Sequence, residues 1–191
     1  MKILITTNQE KSHDFLVKKI TDYFPREEFL IIRQGKKTHW IKTLLLSFIS
    51  VLLLDKLLPR KNSRRLEVDK YRKFNRYFSD LKISKRVKQY KLDINSKRSI
   101  EIIKKNKPDG IIVLGGKIIK PFVLKQVKGF SLHLHCGLVP YYRGGTTWYS
   151  NFTCEDYNNC GFTIQALDEG IDTGDIISQQ QIQINLKKVN L

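Results

Sequence analysis

Two histidines separated by one residue are the side chains best suited to chemistry in this 191-residue chain. His133 and His135 close the apolar run 130–135, FSLHLH, which predicts a β-strand with both imidazoles on one face. An imidazole moves protons near neutral pH and binds metal ions. Such a pair by itself is equally typical of a structural role or half of a metal site, and no carboxylate stands close to it in the sequence. The pattern alone leaves its role open.

A cluster of carboxylates follows in residues 161–177, which read GFTIQALDEGIDTGDII. This stretch predicts a strand, an acidic turn and a second strand. The turn carries four acidic side chains, Asp168, Glu169, Asp172 and Asp175. An EF-hand loop needs oxygen ligands at its first, third and fifth positions, Gly at the sixth and Glu at the twelfth, and this spacing does not supply them. A glycine-containing connection between two strands is the plain structural alternative.

The surrounding elements predict an α/β fold that can position these side chains. The patterns predict, in chain order, a strand over 2–6, a helix over 13–24, a strand over 29–32, a helix over 100–107, a strand over 110–114, a helix over 118–127 and the strand over 130–135. Strand, helix and strand in alternation indicate a parallel sheet. Ligands bind beyond the carboxyl ends of strands in such sheets, so the histidine pair is well placed for function.

Composition limits the class of protein. The hydrophobic fraction of 41% is enough to bury a core, which excludes a disordered, collagen-like or disulfide-stapled chain. The cysteines, Cys136, Cys154 and Cys160, are odd in number and form no CxxC pair, and we expect no signal peptide because the apolar run 3–5 follows Met1 after one residue. We therefore expect one globular unit in a reducing cytoplasm.

The net charge of +17 comes entirely from the middle of the chain. Residues 33–107 carry 23 basic and 6 acidic side chains, whereas the segments before and after them are neutral. This distribution indicates an insertion or a charged face on a neutral scaffold. Basic and aromatic residues alternate over 65–90, which favours an amphipathic helix with a solvated face to about residue 78. A groove for single-stranded nucleic acid is the alternative, but nucleic acid is not the expected partner.

An apolar segment over 43–58, TLLLSFISVLLLDKLL, lies inside this basic region. Its uncharged stretch of 12 residues is shorter than the roughly 20 apolar residues that a membrane-spanning helix needs. Two interpretations stay open: a helix buried in the protein, or one lying in a membrane interface with a cationic rim. The second would place residues 41–65 at the inner face of the membrane.

Three motifs together resemble one family. PDGIIVLGGKIIKP, HLHCGLVPYYRGG and GFTIQALDEGIDTGDII, in this order, resemble the formyltransferases that use 10-formyltetrahydrofolate, which include glycinamide ribonucleotide, methionyl-tRNA and nucleotide-sugar N-formyltransferases. The resemblance covers about residues 93–184. It implies an α/β, Rossmann-like formyltransferase fold: a mostly parallel sheet flanked by helices, with a basic, partly hydrophobic helical insertion over about 36–90. It also implies that residues 1–191 form a single catalytic domain.

The resemblance assigns roles to three side chains. His135 matches the family's catalytic histidine, and Asp172 matches the catalytic aspartate that precedes Thr-Gly. His133 stands where the family has a catalytic asparagine, which is a departure from the pattern. The loop motif of the family is matched by Pro140, Tyr142, Arg143 and Gly144.

Formyl transfer from a folate nitrogen to an amine passes through a tetrahedral intermediate that carries an oxyanion. We expect His135, kept cationic by Asp172, to donate a hydrogen bond to that oxygen, and His133 to replace the asparagine donor through a ring N–H. Asp172 would accept the amine proton directly or through a water. The chemistry requires no metal and no cysteine nucleophile.

The resemblance also places the co-substrate, 10-formyltetrahydrofolate, against two stretches of chain. The expected contacts are Lys117, Ile118, Ile119, Leu167, Asp168, Glu169 and Gly170. Plain core packing is the alternative role for Ile118 and Ile119.

The acceptor we expect is the amine of a nucleotide-linked amino sugar, as in polysaccharide biosynthesis. Two alternatives remain: a methionyl-tRNA formyltransferase-like enzyme or tRNA binder that uses the basic segment, and a degenerate, non-catalytic relative. The C-terminal part of the usual family domain is expected to be missing, and without the appended domain of tRNA-formylating members a tRNA acceptor is disfavoured.

Overall fold

The computed structural model describes residues 1–35, 81, 83–84, 87–145 and 147–183. The predicted apolar helix over 43–58, the basic helix over 65–78, the membrane-surface segment over 41–65 and most of the insertion over 36–90 lie outside the described residues. Within the described ranges, no helix is long and apolar enough to cross a bilayer.

The described chain alternates strands and helices around one seven-stranded sheet. The elements are β1 (Lys2–Asn8), α1 (Lys11–Tyr23), β2 (Glu28–Gln34), β3 (Lys88–Lys91), α2 (Lys97–Asn106), β4 (Gly110–Val113), α3 (Pro121–Leu124), β5 (Phe130–His135), α4 (Thr147–Thr153), a 3₁₀ turn (Tyr157–Asn159), β6 (Gly161–Ala166) and β7 (Ile176–Gln181). The strand order is β3-β2-β1-β4-β5-β6-β7. Strands β1 to β5 pair in parallel, and β6 and β7 join antiparallel, which confirms the predicted mostly parallel α/β sheet.

Apolar residues cover both faces of the central strands, as a parallel sheet between helices requires. On one face, Leu4 and Leu30 pack in a cluster with Ile103 of α2. On the other face, Ile5 and Ile31 pack in a cluster with Val17 of α1. The continuous apolar runs of β1 and β2 follow from this burial on two sides.

Several elements differ from the sequence prediction: α1 begins at Lys11 rather than at residue 13, and α2 begins at Lys97 rather than at residue 100. α3 begins at Pro121 rather than at residue 118, because proline favours the first helical position and keeps Lys120 before it extended. β3, with the sequence KQYK, and α4, with the sequence TWYSNFT, lack the apolar periodicity that predicts a strand or a helix. β7 (Ile176–Gln181) is the second of the two strands predicted on either side of the acidic turn.

The pairing of β5 with β6 decides which side chains meet beside the histidine pair. In this antiparallel register His133 lies opposite Gln165, and His135 lies opposite Thr163. Directly opposed residues have their Cβ atoms about 5 Å apart. The fold therefore brings a buried polar strand alongside the two imidazoles.

Candidate active site

A cavity of about 480 Å³ opens where β1, β4 and β5 end. His133, His135 and Asp172 line it, together with Asn8 and the glycine pair that follows β4. A larger cavity of about 770 Å³ lies at the opposite edge of the sheet, where its lining includes the first residues of β1, β2 and β3. Ligands of parallel α/β sheets bind at the carboxyl ends of the strands, so the smaller cavity is the candidate site.

The fold brings the two histidines and the aspartate into one cluster. Nδ1 of His133 lies 3.1 Å from Oδ1 of Asp172, and Nδ1 of His135 lies 3.4 Å from Oδ2. Asp172 adopts a left-handed backbone with φ of 53°, a conformation that Asp tolerates better than most residues. The acidic turn thus points one carboxylate back at the strand that carries both imidazoles.

Four polar groups surround the carboxylate of Asp172. Besides the two imidazoles, the Gly144 amide donates to Oδ2 at 2.6 Å and Gln165 Nε2 donates to Oδ1 at 3.1 Å. Burial alone would raise the pKa of Asp172, but the hydrogen bonds from His133 and Gly144 and the neighbouring His135 hold that pKa below its ordinary value. Asp172 is therefore ionised at neutral pH and can accept a proton.

Both ring nitrogens of His135 are engaged within the protein. Nε2 donates to the Tyr142 carbonyl at 2.8 Å, while Nδ1 faces Asp172. Among the described residues, Nε2 of His133 has no hydrogen-bond partner, and His133 lines the cavity. His133, which departs from the family pattern, is therefore the histidine whose second ring nitrogen is available to a ligand.

Tyr142 anchors the loop after β5 through its side chain, and its backbone carbonyl accepts the hydrogen bond from His135. The Tyr142 hydroxyl donates to Oδ2 of Asp156 at 2.5 Å, and this hydrogen bond, with burial, raises the pKa of Tyr142 to about 12. Hydrogen bonds from Tyr142 and Asn159 lower the pKa of Asp156. A chain of contacts thus runs from Asp156 through Tyr142 to the imidazole of His135.

We expect Tyr142→Phe to lower kcat for the reaction at this site by roughly tenfold, with KM for the donor changed by less than about twofold. The hydroxyl anchors the loop whose carbonyl orients His135, so its loss misplaces a reacting group without removing a binding contact. Tyr141→Phe is the matched control, since the neighbouring Tyr141 is 75% exposed. Equal kcat values for both variants would exclude the positioning role.

The predicted co-substrate stretch after β4 forms a turn at the cavity. Gly115 and Gly116 have positive φ values of 97° and 122°, which favour glycine. A Cβ on Gly116 would also lie 2.6 Å from Nε2 of Gln34, whose Oε1 accepts the Lys117 amide at 3.0 Å. The turn is therefore fixed by the end of β2.

Six of the seven predicted co-substrate residues line the cavity: Lys117, Ile118, Ile119, Leu167, Asp168 and Gly170. Glu169 is exposed and does not line it. Ile118 is 65% exposed, so its apolar side chain is available for contact with a ligand. Ile119 is 7% exposed and packs in the core cluster with Leu4, so the core-packing interpretation holds for Ile119.

Asn95 clamps this co-substrate turn from the loop before α2. Its Nδ2 donates to the Ile118 carbonyl at 3.0 Å, and its Oδ1 accepts the Lys120 amide at 2.9 Å. We expect Asn95→Ala to raise KM for the donor by about three- to tenfold with little change in kcat, because it frees the turn and leaves the reacting groups in place. Asn106→Ala, at the end of α2, is the control; an unchanged donor KM in Asn95→Ala would contradict the clamp.

Sequence reasoning missed three residues of the site. Gln165 is 1% exposed and contacts both Asp172 and His133. The sequence signal that could have indicated it is a polar residue at a position of β6 that the strand's alternation buries. Asn8 and His13 line the cavity from the connection between β1 and α1. Nδ1 of His13 lies 2.7 Å from the Thr7 hydroxyl, and burial lowers the pKa of His13.

The fold and the site define an α/β protein with two imidazoles and one carboxylate at the carboxyl edge of its sheet, an arrangement suited to proton movement and oxyanion stabilisation. A family model described as formyl transferase matches residues 71–189. The chain belongs to the formyl transferase family. The family and the fold expected from the three motifs are confirmed.

Methionyl-tRNA formyltransferases are among the relatives that the chain resembles in sequence. It is 34% identical over 124 residues to the enzyme of Syntrophomonas wolfei, covering 61% of this chain and 39% of that protein. It is 38% identical over 85 residues to the one of Caldicellulosiruptor saccharolyticus, covering 44% and 27%. The chain thus spans less than half the length of these two relatives.

Solved structures share the fold. Phosphoribosylglycinamide formyltransferase from Bacillus halodurans aligns with a TM-score of 0.61 at 17% identity, covering 99% of this chain and 83% of that one. A sugar N-formyltransferase from Shewanella sp. aligns with a TM-score of 0.57 at 15% identity, covering 97% and 58%. At these identities the likeness concerns the fold alone.

Proposed function

We propose that this chain transfers a formyl group from 10-formyltetrahydrofolate to the amine of a small acceptor. The observation that carries the proposal is the convergence of His133, His135 and an ionised Asp172 at the edge of the sheet where ligands bind. The formyl transferase family match supports the same reaction.

In the proposed reaction, the acceptor nitrogen attacks the formyl carbon and forms a tetrahedral intermediate. Nε2–H of His133 donates to the developing oxyanion, and the imidazolium of His135 stabilises its charge from the same side of the sheet. Asp172 accepts the proton that the amine loses, directly or through a water. As the intermediate collapses to the formamide, the folate nitrogen leaves and takes the proton from Asp172, directly or through a water, which restores the carboxylate.

The proposed binding site of the folate donor lies between the turn after β4 and the acidic turn. The exposed Ile118 offers an apolar contact, and the backbone carbonyls at 167 and 170 offer acceptors to the pterin, since the amides at both positions already donate to Ser131 and Asp168. Asp168 accepts hydrogen bonds from the Gly170 amide and the Thr173 hydroxyl, which fixes the shape of that turn. The donor's formyl group would then face the histidine pair.

The acceptor we propose is a nucleotide-linked amino sugar. Asn8 lines the cavity from the end of β1 and supplies uncharged hydrogen-bonding groups of the kind that sugar hydroxyls use. Association of residues 41–65 with a membrane surface, where glycans are assembled, stays a prediction from the sequence.

Methionyl-tRNA is the second candidate acceptor, and the sequence similarity to methionyl-tRNA formyltransferases favours it. The basic residues between 33 and 107 would then contact phosphates. The third candidate, a non-catalytic relative, is motivated by His133 in place of the family's asparagine.

One competition experiment separates these candidates. The chain is incubated with 10-formyltetrahydrofolate, an equimolar panel of amino-sugar nucleotides and charged methionyl-tRNA, and each acceptor is examined by mass spectrometry. Formyl gain on an amino sugar, insensitive to salt, supports the first proposal. Gain on methionyl-tRNA that falls steeply with salt supports the second. If the chain is inactive on every acceptor, activity gained in His133→Asn would show that only the hydrogen-bond donor at position 133 prevents catalysis. An inactive His133→Asn variant would support a non-catalytic relative.

A further inference from the structure

The three side chains of the site also have the donor set of a metal centre. One ligand atom from each of His133, His135 and Asp172 lies within 4.8 Å of the others. The separations from each imidazole Nδ1 to the nearer carboxylate oxygen are 3.1 Å and 3.4 Å. Ligands about 2.0 to 2.2 Å from one Zn²⁺ are roughly 3.0 to 3.5 Å apart, so each imidazole lies at ligand spacing from one of the two carboxylate oxygens.

The protein fixes the tautomer that a metal would need at His135. Since Nε2–H donates to the Tyr142 carbonyl, a neutral ring carries its lone pair on Nδ1, which faces Asp172. Metal-bound histidines usually donate their other N–H to a carbonyl or carboxylate in this way. The contact that orients His135 therefore also presents its ligand atom.

Electrostatics favour a cation between the three groups. Nδ1 of each ring faces one carboxylate oxygen of Asp172, and that carboxylate is buried in the protein. Gln165 lies beside them, 1% exposed, and its Oε1 has no hydrogen-bond partner among the described residues. One divalent ion between the three groups would contact a ligand atom of each.

We propose that His133, His135 and Asp172 bind one divalent transition-metal ion of the zinc type. Two imidazoles and one carboxylate supply three protein ligands, and the fourth position faces the cavity. Formyl transfer itself requires no metal, so this is a second property of the site. The histidine at 133 completes the ligand set, because an asparagine there would replace an imidazole nitrogen with a weaker amide donor.

Zn²⁺ titration of the untagged, metal-stripped chain by calorimetry tests this proposal without any measurement of activity. The expected result is one Zn²⁺ per chain, with affinity reduced at least about tenfold in His133→Asn. His13→Asn is the matched control, because His13 lines the same cavity outside the cluster and its loss should leave the affinity unchanged. Circular dichroism verifies that each variant is folded, and Asp172→Asn provides a second ligand deletion.

Co²⁺ substitution identifies the donor atoms. A site of two imidazoles and one carboxylate gives visible d–d bands without intense thiolate bands in the near ultraviolet. Failure of the folded wild type to bind one equivalent would overturn the proposal. Wild-type affinity in both His133→Asn and Asp172→Asn, or thiolate bands from a cysteine site, would overturn it as well. None of these outcomes depends on whether the chain transfers a formyl group.

Discussion

Replacing Asp172 with Asn is expected to lower the rate of formyl transfer by about a thousandfold, within the range that general acid–base groups contribute. The amide keeps the size of the side chain but can neither accept the amine proton nor pair with a charged imidazole. The rate is measured under single-turnover conditions, so that product release does not hide the effect. Asp175→Asn, in the same acidic turn, is the matched control, because Asp175 does not line the cavity. A rate within about threefold of wild type for Asp172→Asn would contradict the proposed base.

The same variant carries a stability prediction with a defined sign. The folded-state pKa of Asp172 lies below its unfolded value of about 3.9. Its ionised form therefore stabilises the fold above that value, and this contribution is lost as the pH falls through the lower, folded-state pKa. We expect the free energy of unfolding of Asp172→Asn to fall less than that of wild type when the assay pH is lowered from about 5 to about 2. Urea denaturation at several pH values measures the difference.

Replacing His135 with Asn is expected to lower formyl transfer by at least about a hundredfold, with binding of the folate donor retained. The imidazole is 5% exposed and is held between the Tyr142 carbonyl and Asp172, so its removal takes away a group proposed to stabilise the oxyanion. Donor affinity is measured by fluorescence with 10-formyltetrahydrofolate, and folding by circular dichroism. Retained turnover in a folded variant that binds donor would contradict a catalytic role for His135.

Much of the sheet can be predicted from the sequence because its central strands are buried on both faces. The runs at 3–6 and 110–113 are short, β-branched and bounded by turn residues, so their patterns indicate buried strands directly. β3 carries lysines at both ends and lies at the edge of the sheet, where pairing with β2 decides its structure. Such an edge strand leaves no apolar pattern to read.

The site could be predicted only in part for a related reason. His133, His135 and Asp172 stand in motifs, and a resemblance assigns them roles. Gln165 becomes a neighbour of His133 only through the register of β5 with β6, which no local pattern fixes. The Tyr142 contact is made by a backbone carbonyl, so the identity of the side chain could not indicate it.

The most direct test of the formyltransferase assignment follows an isotopic label from donor to acceptor. The chain is mixed with 10-formyltetrahydrofolate labelled with ¹³C in the formyl group, the amino-sugar nucleotide panel and charged methionyl-tRNA, and the products are analysed by mass spectrometry. The predicted result is one labelled formyl group on an amino-sugar nitrogen, dependent on the chain and lost in Asp172→Asn. A folded wild type that binds the donor but transfers no label to any amine, methionyl-tRNA included, would contradict the assignment.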